Sequence, residues 1–239
     1  MGRLKPEQVN KNVSSTIKML ENFGRGSFLI DGEVIEKTKL PDISKHEIGC
    51  HGYKHSAVGN DWWIGKADRK YNPKFAVSKG TKLIKDHFNI KPVSFRAPKF
   101  SISNETVGIL KRQGYKIDSS ITPHSDVLFP YKLNGLFEMP VSRVPKPKLM
   151  LKRGIPQFYF YKLMPLTLGN LGIKKFIDVS KEILYYWGKK PYPMLLLVSH
   201  PWEIDKKMLN LMGDYFASLE KAIKVEFISM KDYYRKTRE

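Results

Sequence analysis

Lys45-His-Glu-Ile-Gly-Cys-His-Gly-Tyr-Lys-His55 joins a short apolar stretch to two imidazoles four residues apart. Lys45-His-Glu-Ile-Gly49 reads as a strand, and it delivers His51 and His55 at its far end. A divalent metal needs neutral nitrogen donors converging from one side, and on a helical turn residues i and i+4 lie one above the other. Three later segments give the pair its meaning: Arg96-Ala-Pro-Lys-Phe100, Asp118-Ser-Ser120 and Leu197-Val-Ser-His-Pro-Trp-Glu203. His51, Arg96, Asp118 and His200 each end or follow a predicted strand. In a β/α barrel the C-terminal strand ends and their loops build the active site, so four such residues are expected at one mouth.

The rest of the chain alternates helical and strand patterns, as a β/α architecture requires. Val9, Val13, Ile17 and Leu20 recur at helical spacing and predict a helix over about 8–22, ended by Gly24 and Gly26. Ser27-Phe-Leu-Ile30, Pro92-Val-Ser-Phe95 and Tyr115-Lys-Ile-Asp118 read as strands. Helices are predicted over about 75–88, from a Ser103 cap to Gly114, from Ile173 to Trp187 and over about 206–223. Met194-Leu-Leu-Leu-Val198 is a continuous apolar run suited to a parallel sheet buried on both faces, and Val225-Glu-Phe-Ile228 reads as a last strand. Ser229 and Asp232 fit a capping-box variant at the final helix. Residues 145–172 mix basic, aromatic and proline residues without a clean period, and read as an insertion or lid.

At 239 residues, with 41% hydrophobic and 12% aromatic content, the chain can bury a substantial core as one domain spanning 1–239. No apolar run reaches the roughly 18 residues of a membrane span, and Met1-Gly-Arg-Leu-Lys-Pro6 lacks the apolar core of a signal peptide. A single cysteine, Cys50, makes no internal disulfide. A cytoplasmic or membrane-peripheral protein is expected. The net charge of +19 attracts polyanions, whether nucleic acid, anionic lipid headgroups or phosphate-linked substrates. It equally describes a lysine-rich solvated surface, and no zinc-finger or RNP signature accompanies it.

The ordered motifs resemble those of the polysaccharide deacetylase family, the NodB-homology or carbohydrate esterase family four enzymes. The segment Lys45–His55 resembles the family's second motif, Arg96–Phe100 the third, Asp118–Ser120 the fourth, and His200 with its apolar lead-in the fifth. His-Gly-Tyr-x-His, Arg-Ala-Pro-x-Phe-Ser and His-Pro-Trp-Glu-Ile-Asp resemble especially the branch associated with exopolysaccharide loci. The resemblance runs from about residue 9 to 236. It implies an α/β fold, a distorted (β/α)7-type barrel, that hydrolyses N-acetyl or O-acetyl groups on a polysaccharide, oligosaccharide or lipid-linked sugar. It further implies Zn2+ or another divalent metal on His51 and His55. His200 would be the general acid, and Arg96 would orient an aspartate base. Tyr53, Pro98, Phe100 and Trp202 are the candidate substrate-binding side chains. Peripheral contact with an anionic membrane fits the charge. A nucleic-acid binder leaves the four motifs unexplained.

The chain departs from the family in one respect. The family's metal-binding and base aspartates belong to a first motif, Thr-Phe-Asp-Asp, on a strand ahead of the first helix. Met1 to Gln8 contains no acidic pair, so the base and the third metal ligand are unknown and the barrel is expected to lack its first strand. A misassigned start, an inactive sugar-binding relative, or an aspartate elsewhere each accounts for this. The unpaired strand edges of an incomplete barrel favour the first, an N-terminally incomplete domain. Asp31 and Asp61 are superficial substitutes. His46, His87 and His124 read as structural or incidental, and Asp118 as a loop-holding residue.

Overall fold

Glu47-Ile-Gly-Cys50 is buried at every position, and it forms the second strand of a mixed six-stranded sheet. The computed structural model describes residues 5–60, 64–120, 129–142, 164–188 and 190–238. In chain order the elements are α1 (Pro6–Leu20), β1 (Ser27–Ile30), α2 (Gly32–Lys37), β2 (Glu47–Cys50), α3 (Pro73–Phe88), β3 (Ser94–Phe95), α4 (Asn104–Gln113) and β4 (Ile117–Asp118). There follow β5 (Tyr131–Leu133), β6 (Leu136–Glu138), α5 (Met164–Trp187), α6 (Lys206–Ala222) and α7 (Met230–Lys236). The chain divides into two compact units. One draws on Met1–Gly24, Pro123–Phe129 and Val141–Phe227, the other on Arg25–Thr122, Pro130–Pro140 and Ile228–Glu239.

The second unit holds the whole sheet, in the order β1-β2-β3-β4-β6-β5, with helices α2, α3, α4 and α7 beside it. All pairings are parallel except the β5–β6 hairpin. That hairpin turns on Asn134 (φ 46°) and Gly135 (φ 92°), the Asn-Gly pair that favours a left-handed two-residue turn. Phe95, Ile117, Leu136, Ile84 and Leu110 are essentially solvent-free, each contributing about 1.5–3 kcal/mol by burial. Each helix starts where a side chain satisfies an orphan N–H: Asp31 for α2, Asn72 for α3, Ser103 for α4 and Ser229 for α7. Gly114 (φ 86°) closes α4 with a left-handed cap. Glu47 accepts from Ser27 Oγ (2.5 Å) and from Lys231 N (2.9 Å), and so ties β1 and β2 to the start of α7. His46 is buried, with Nδ1 accepting from Gly26 N, which is the structural role its place in the sequence suggests.

The first unit is helical. Phe176 of α5 meets Tyr215 of α6 edge-on at 4.7 Å, and the Ser180 hydroxyl lies 2.9 Å from that of Tyr215. Helix α5 is kinked at Gly172 (φ 73°), and its first residues, 164–172, occupy the end of the expected 145–172 insertion. Residues 145–163, with the Lys146–Arg153 cluster, lie outside the described residues, as do Asp61 and His124. Met194–Val198 is not a strand. Leu196 O accepts from Ser142 N (3.1 Å), but Leu196 N donates to the Ser142 hydroxyl rather than to a carbonyl, so no ladder propagates. Val225–Ile228 likewise makes a single bridge, Phe227 to Gly24. Among the described residues no helix is long and apolar enough to cross a membrane.

Helix α3 packs closely against the loop that follows β2. A Cβ built on Gly80 would lie 2.3 Å from Gly52 O and 2.8 Å from Gly52 C, both backbone atoms that cannot swing aside. Gly80→Ala is therefore expected to destabilise the protein by about 1–3 kcal/mol and to push the His51–His55 loop outward. Urea unfolding checks the first effect and imidazole NMR shifts the second.

Candidate functional site

The loop after β2 carries Gly52 at φ 77° and then two side-chain-bearing residues, Lys54 (φ 51°) and His55 (φ 49°), in the left-handed region. The histidines therefore do not share a right-handed helical turn, as their spacing predicts. A left-handed pair brings the rings together instead, with centroids 5.2 Å apart. Conformations of this kind cost about 1–3 kcal/mol each in a non-glycine residue. Asp31 offsets that cost. Its Oδ1 accepts from Glu33 N (2.8 Å) and Lys54 N (3.0 Å), and its Oδ2 accepts from His55 N (2.5 Å). Burial raises the Asp31 carboxyl above its ordinary value, against the pull of these three N–H donors. The residue that superficially resembles a metal ligand is thus the anchor of the histidine turn and the N-cap of α2.

His51 Nδ1 lies 2.8 Å from Arg96 O. A carbonyl oxygen only accepts, so Nδ1 carries the proton and Nε2 presents its lone pair. Metal-binding imidazoles use this tautomer. Among the described residues no group of three His, Cys, Asp or Glu side chains is placed to hold a metal ion. Catalytic zinc takes three protein ligands, and the described set supplies two. It does not make up that site. Cys50, fully buried with its thiol pushed up to about 11 by burial, is no thiolate donor.

Arg96 sits beneath the loop, 8% exposed, and burial lowers its guanidinium to about 10. Its Nε donates to Ser119 O (3.0 Å) and its Nη2 to Ser119 Oγ (2.7 Å). Ser119 Oγ in turn donates to Met139 O at 2.6 Å. Ser120 Oγ donates to Asp118 and accepts from Ala97 N (2.8 Å), which fixes the residue after Arg96. Asp118 is opposite Glu138 in the β4–β6 register, and both are 0% exposed. Burial accordingly raises Asp118 above its ordinary value. Both carboxyls act on the Arg96 guanidinium, as does that of Glu47. Asp118 keeps the structural role expected for it, and Glu138 is the member of the network that the sequence pattern did not flag.

The structure thus brings together His51, His55, Tyr53, Arg96, Pro98 and Phe100 in one unit. Phe100 lies under the Arg96 guanidinium at 5.5 Å. Tyr53, Pro98 and Phe100 are buried, and the Tyr53 hydroxyl donates to Glu36 at 2.9 Å. His200 and Trp202 belong to the other unit. There the His200 ring stacks on Trp202 at 4.3 Å and 16°, and its Nδ1 meets Glu203 Oε2 at 3.0 Å. Trp202 is 51% exposed.

Compared with solved structures, the chain has the fold of a protein from Mycobacterium smegmatis assigned to the polysaccharide deacetylases. The TM-score is 0.64 at 19% identity, over 97% of this chain and 78% of that one. A CE4 family pseudoenzyme from Bacillus anthracis matches with TM-score 0.53 and 12% identity, over 94% of this chain and 60% of its own. A 4-alpha-glucanotransferase from Thermococcus litoralis matches with TM-score 0.63 and 13% identity, over 96% of this chain and 37% of its own. No protein-family model matches the chain, and no curated protein matches it in sequence. At these identities the likeness is one of fold, an α/β fold that these three proteins put to different uses.

Two predictions test this geometry. Asp31→Ala removes a helix cap and leaves the Lys54 and His55 N–H groups without their acceptor. A loss of about 2–4 kcal/mol in urea unfolding is expected, larger than for a capping residue alone. The second concerns pH. A carboxyl raised in the folded state contributes stability that is complete below its unfolded pKa of about 3.9 and is lost as pH rises through the folded value. Stability should therefore fall between about pH 4 and about pH 7, as pH rises through the Asp118 value of about 6, and Asp118→Asn should flatten that slope. An unchanged slope in Asp118→Asn would place its origin elsewhere.

Proposed function

We propose that this chain is a carbohydrate-binding domain on the CE4-type deacetylase fold, holding its glycan without hydrolysing it. The observation that carries this reading is the donor count at His51 and His55, two imidazoles without a third ligand among the described residues. Asp31, the acidic side chain anchored to that turn, is committed to three backbone N–H groups. That such a fold persists without the enzyme's activity is the case for the Bacillus anthracis pseudoenzyme. The family motifs from His51 to His200, and the aromatic side chains among them, support a sugar as the ligand. They support equally the finer placement on a distorted (β/α)7-type barrel of the exopolysaccharide-associated branch. A lipid-linked sugar at an anionic membrane surface fits the net charge of +19.

One observation favours a second reading, metal-dependent hydrolysis of N-acetyl or O-acetyl groups. It is the His51 tautomer, fixed by Arg96 O with Nε2 outward. On that reading His51 and His55 are ligands, with Zn2+ supplying an activated water when bound. His200, its Nδ1 held by Glu203, is the general acid through Nε2, and Arg96 is the charged support beneath the loop.

Calorimetry with N-acetylated oligosaccharides, including chitotetraose and hyaluronan tetrasaccharide, separates the two. Binding that is indifferent to EDTA, with no acetate released in the presence of zinc, is expected. Zinc-dependent acetate release that disappears in both His51→Ala and His200→Ala would overturn the binding-only reading in favour of the enzyme.

A further inference from the structure

The ring of Phe75, at the start of α3, is 44% exposed and lies 5.0 Å from Tyr71 at 31°. Beneath them Tyr53 meets Tyr71 at 5.6 Å and Phe75 at 6.0 Å. Three rings from three positions thus make one aromatic platform, and its inner member sits in the histidine turn itself. The segment carrying Tyr71 is stitched to that turn. Ala57 N donates to Asp68 O (2.7 Å), and Tyr71 N donates to the Ser56 hydroxyl (3.0 Å).

One lysine stands over the inner rings, and a second is tied to its backbone. Lys54 Nζ lies 5.6 Å from the Tyr53 centroid and 5.8 Å from that of Tyr71. Lys70 Nζ donates to Lys54 O at 3.0 Å. The carboxylates around them, though Glu33 and Glu36 are near enough to act on Lys54, each have another partner: Glu33 has Lys37, Glu36 has Tyr53 and Lys79, Asp68 has Lys99 and Gly65 N, and Asp31 has the turn. Among the described residues neither Lys54 nor Lys70 pairs with a carboxylate. An exposed aromatic face can take the apolar face of a sugar ring, and two ammonium groups held at its edge are complementary to an anion.

We infer that Tyr71, Phe75, Lys54 and Lys70 form a subsite, next to His55, for a sugar residue bearing an anionic substituent, a carboxylate or a phosphate. The inference rests on the carbohydrate reading above and specifies its ligand: an acidic glycan rather than a neutral one. The turn strain at Lys54 then has a use, because the left-handed backbone that presents His55 also turns the Lys54 side chain over the rings.

The test compares hyaluronan tetrasaccharide, which carries uronate carboxylates, with neutral chitotetraose, by calorimetry at low and at physiological salt. N-acetylglucosamine 6-phosphate serves as the phosphate arm against N-acetylglucosamine. A preference of at least about tenfold for the anionic member is expected, since a charge-assisted contact supplies that much. The arm with the larger preference identifies carboxylate or phosphate. Lys54→Gln with Lys70→Gln should abolish the preference. Phe75→Ala should weaken both ligands. Lys82→Gln with Lys85→Gln, on the outer face of α3, should leave the preference intact. Equal binding of neutral and anionic ligands overturns the subsite and leaves the carbohydrate reading standing. So does a preference that follows Lys82 and Lys85 rather than Lys54 and Lys70. No binding of any oligosaccharide overturns the carbohydrate reading itself. Unchanged melting temperatures in the lysine variants exclude misfolding as the cause.

Discussion

The carboxylate of Asp31 is the constraint on which the site depends. β1 ends at Ile30, and the next residue must both start α2 and hold a turn contributed by a different strand. A carboxylate can do both because it has two oxygens and accepts from several directions. Oδ1 takes the Glu33 N–H in the first turn of α2 and the Lys54 N–H, and Oδ2 takes that of His55. Gly32 N adds a bond to Gly52 O at 2.9 Å. On the other side of the loop Gly80 of α3 comes so close to Gly52 that no side chain fits between them. The turn is held from two sides, and its left-handed residues persist because neither side can yield without orphaning buried N–H groups.

The parts of this arrangement that follow from local chemistry were legible in the sequence. Ser27–Ile30 is a strand as the apolar run predicts, Ser103 and Gly114 bound α4 as caps should, and Ser229 opens α7. His51 and Arg96 follow strands and meet each other, because parallel neighbours place their ends on one edge. What was not legible depends on partners distant in sequence. Four-residue spacing suggests a helical turn until Asp31 is known to hold the backbone left-handed. Met194–Val198 has the composition of a buried strand, yet strand formation needs a neighbour with a free carbonyl at the right height, and Ser142 offers a hydroxyl. The β5–β6 hairpin was different. Its Asn134-Gly135 signal stands in the sequence, and so does the Asp31 cap ahead of α2. Glu138 gave no signal, because its role exists only opposite Asp118.

Below the loop, the sheet carries a charge network that an apolar core would not need. Burying a guanidinium and two carboxyls costs several kcal/mol per ion unless charges balance and hydrogen bonds are made. Here the positive charge of Arg96 stands against the two carboxyls, and Ser119 and Ser120 supply hydrogen bonds. The serines that follow Asp118 convert that balance into position. Ser119 binds the Arg96 guanidinium, and Ser120 binds Ala97 N, so the backbone at 96–97 is held on both sides of its carbonyl. That carbonyl is the acceptor that orients His51.

The network's output is therefore an oriented imidazole, and this output is the same whether a metal, a sugar hydroxyl or a water meets Nε2. Preorganisation of this kind serves binding as well as catalysis, since both gain from groups that need not reorganise when the ligand arrives. Hydrolysis asks for two things more, a third donor beside the pair and a base to work on the water it holds. A glycan domain and a deacetylase can then share the sheet, the Arg96 network and the strained turn. They differ at the level of two groups, the third donor and the base. The donor set around His51 and His55, rather than the fold, is what assigns the chemistry.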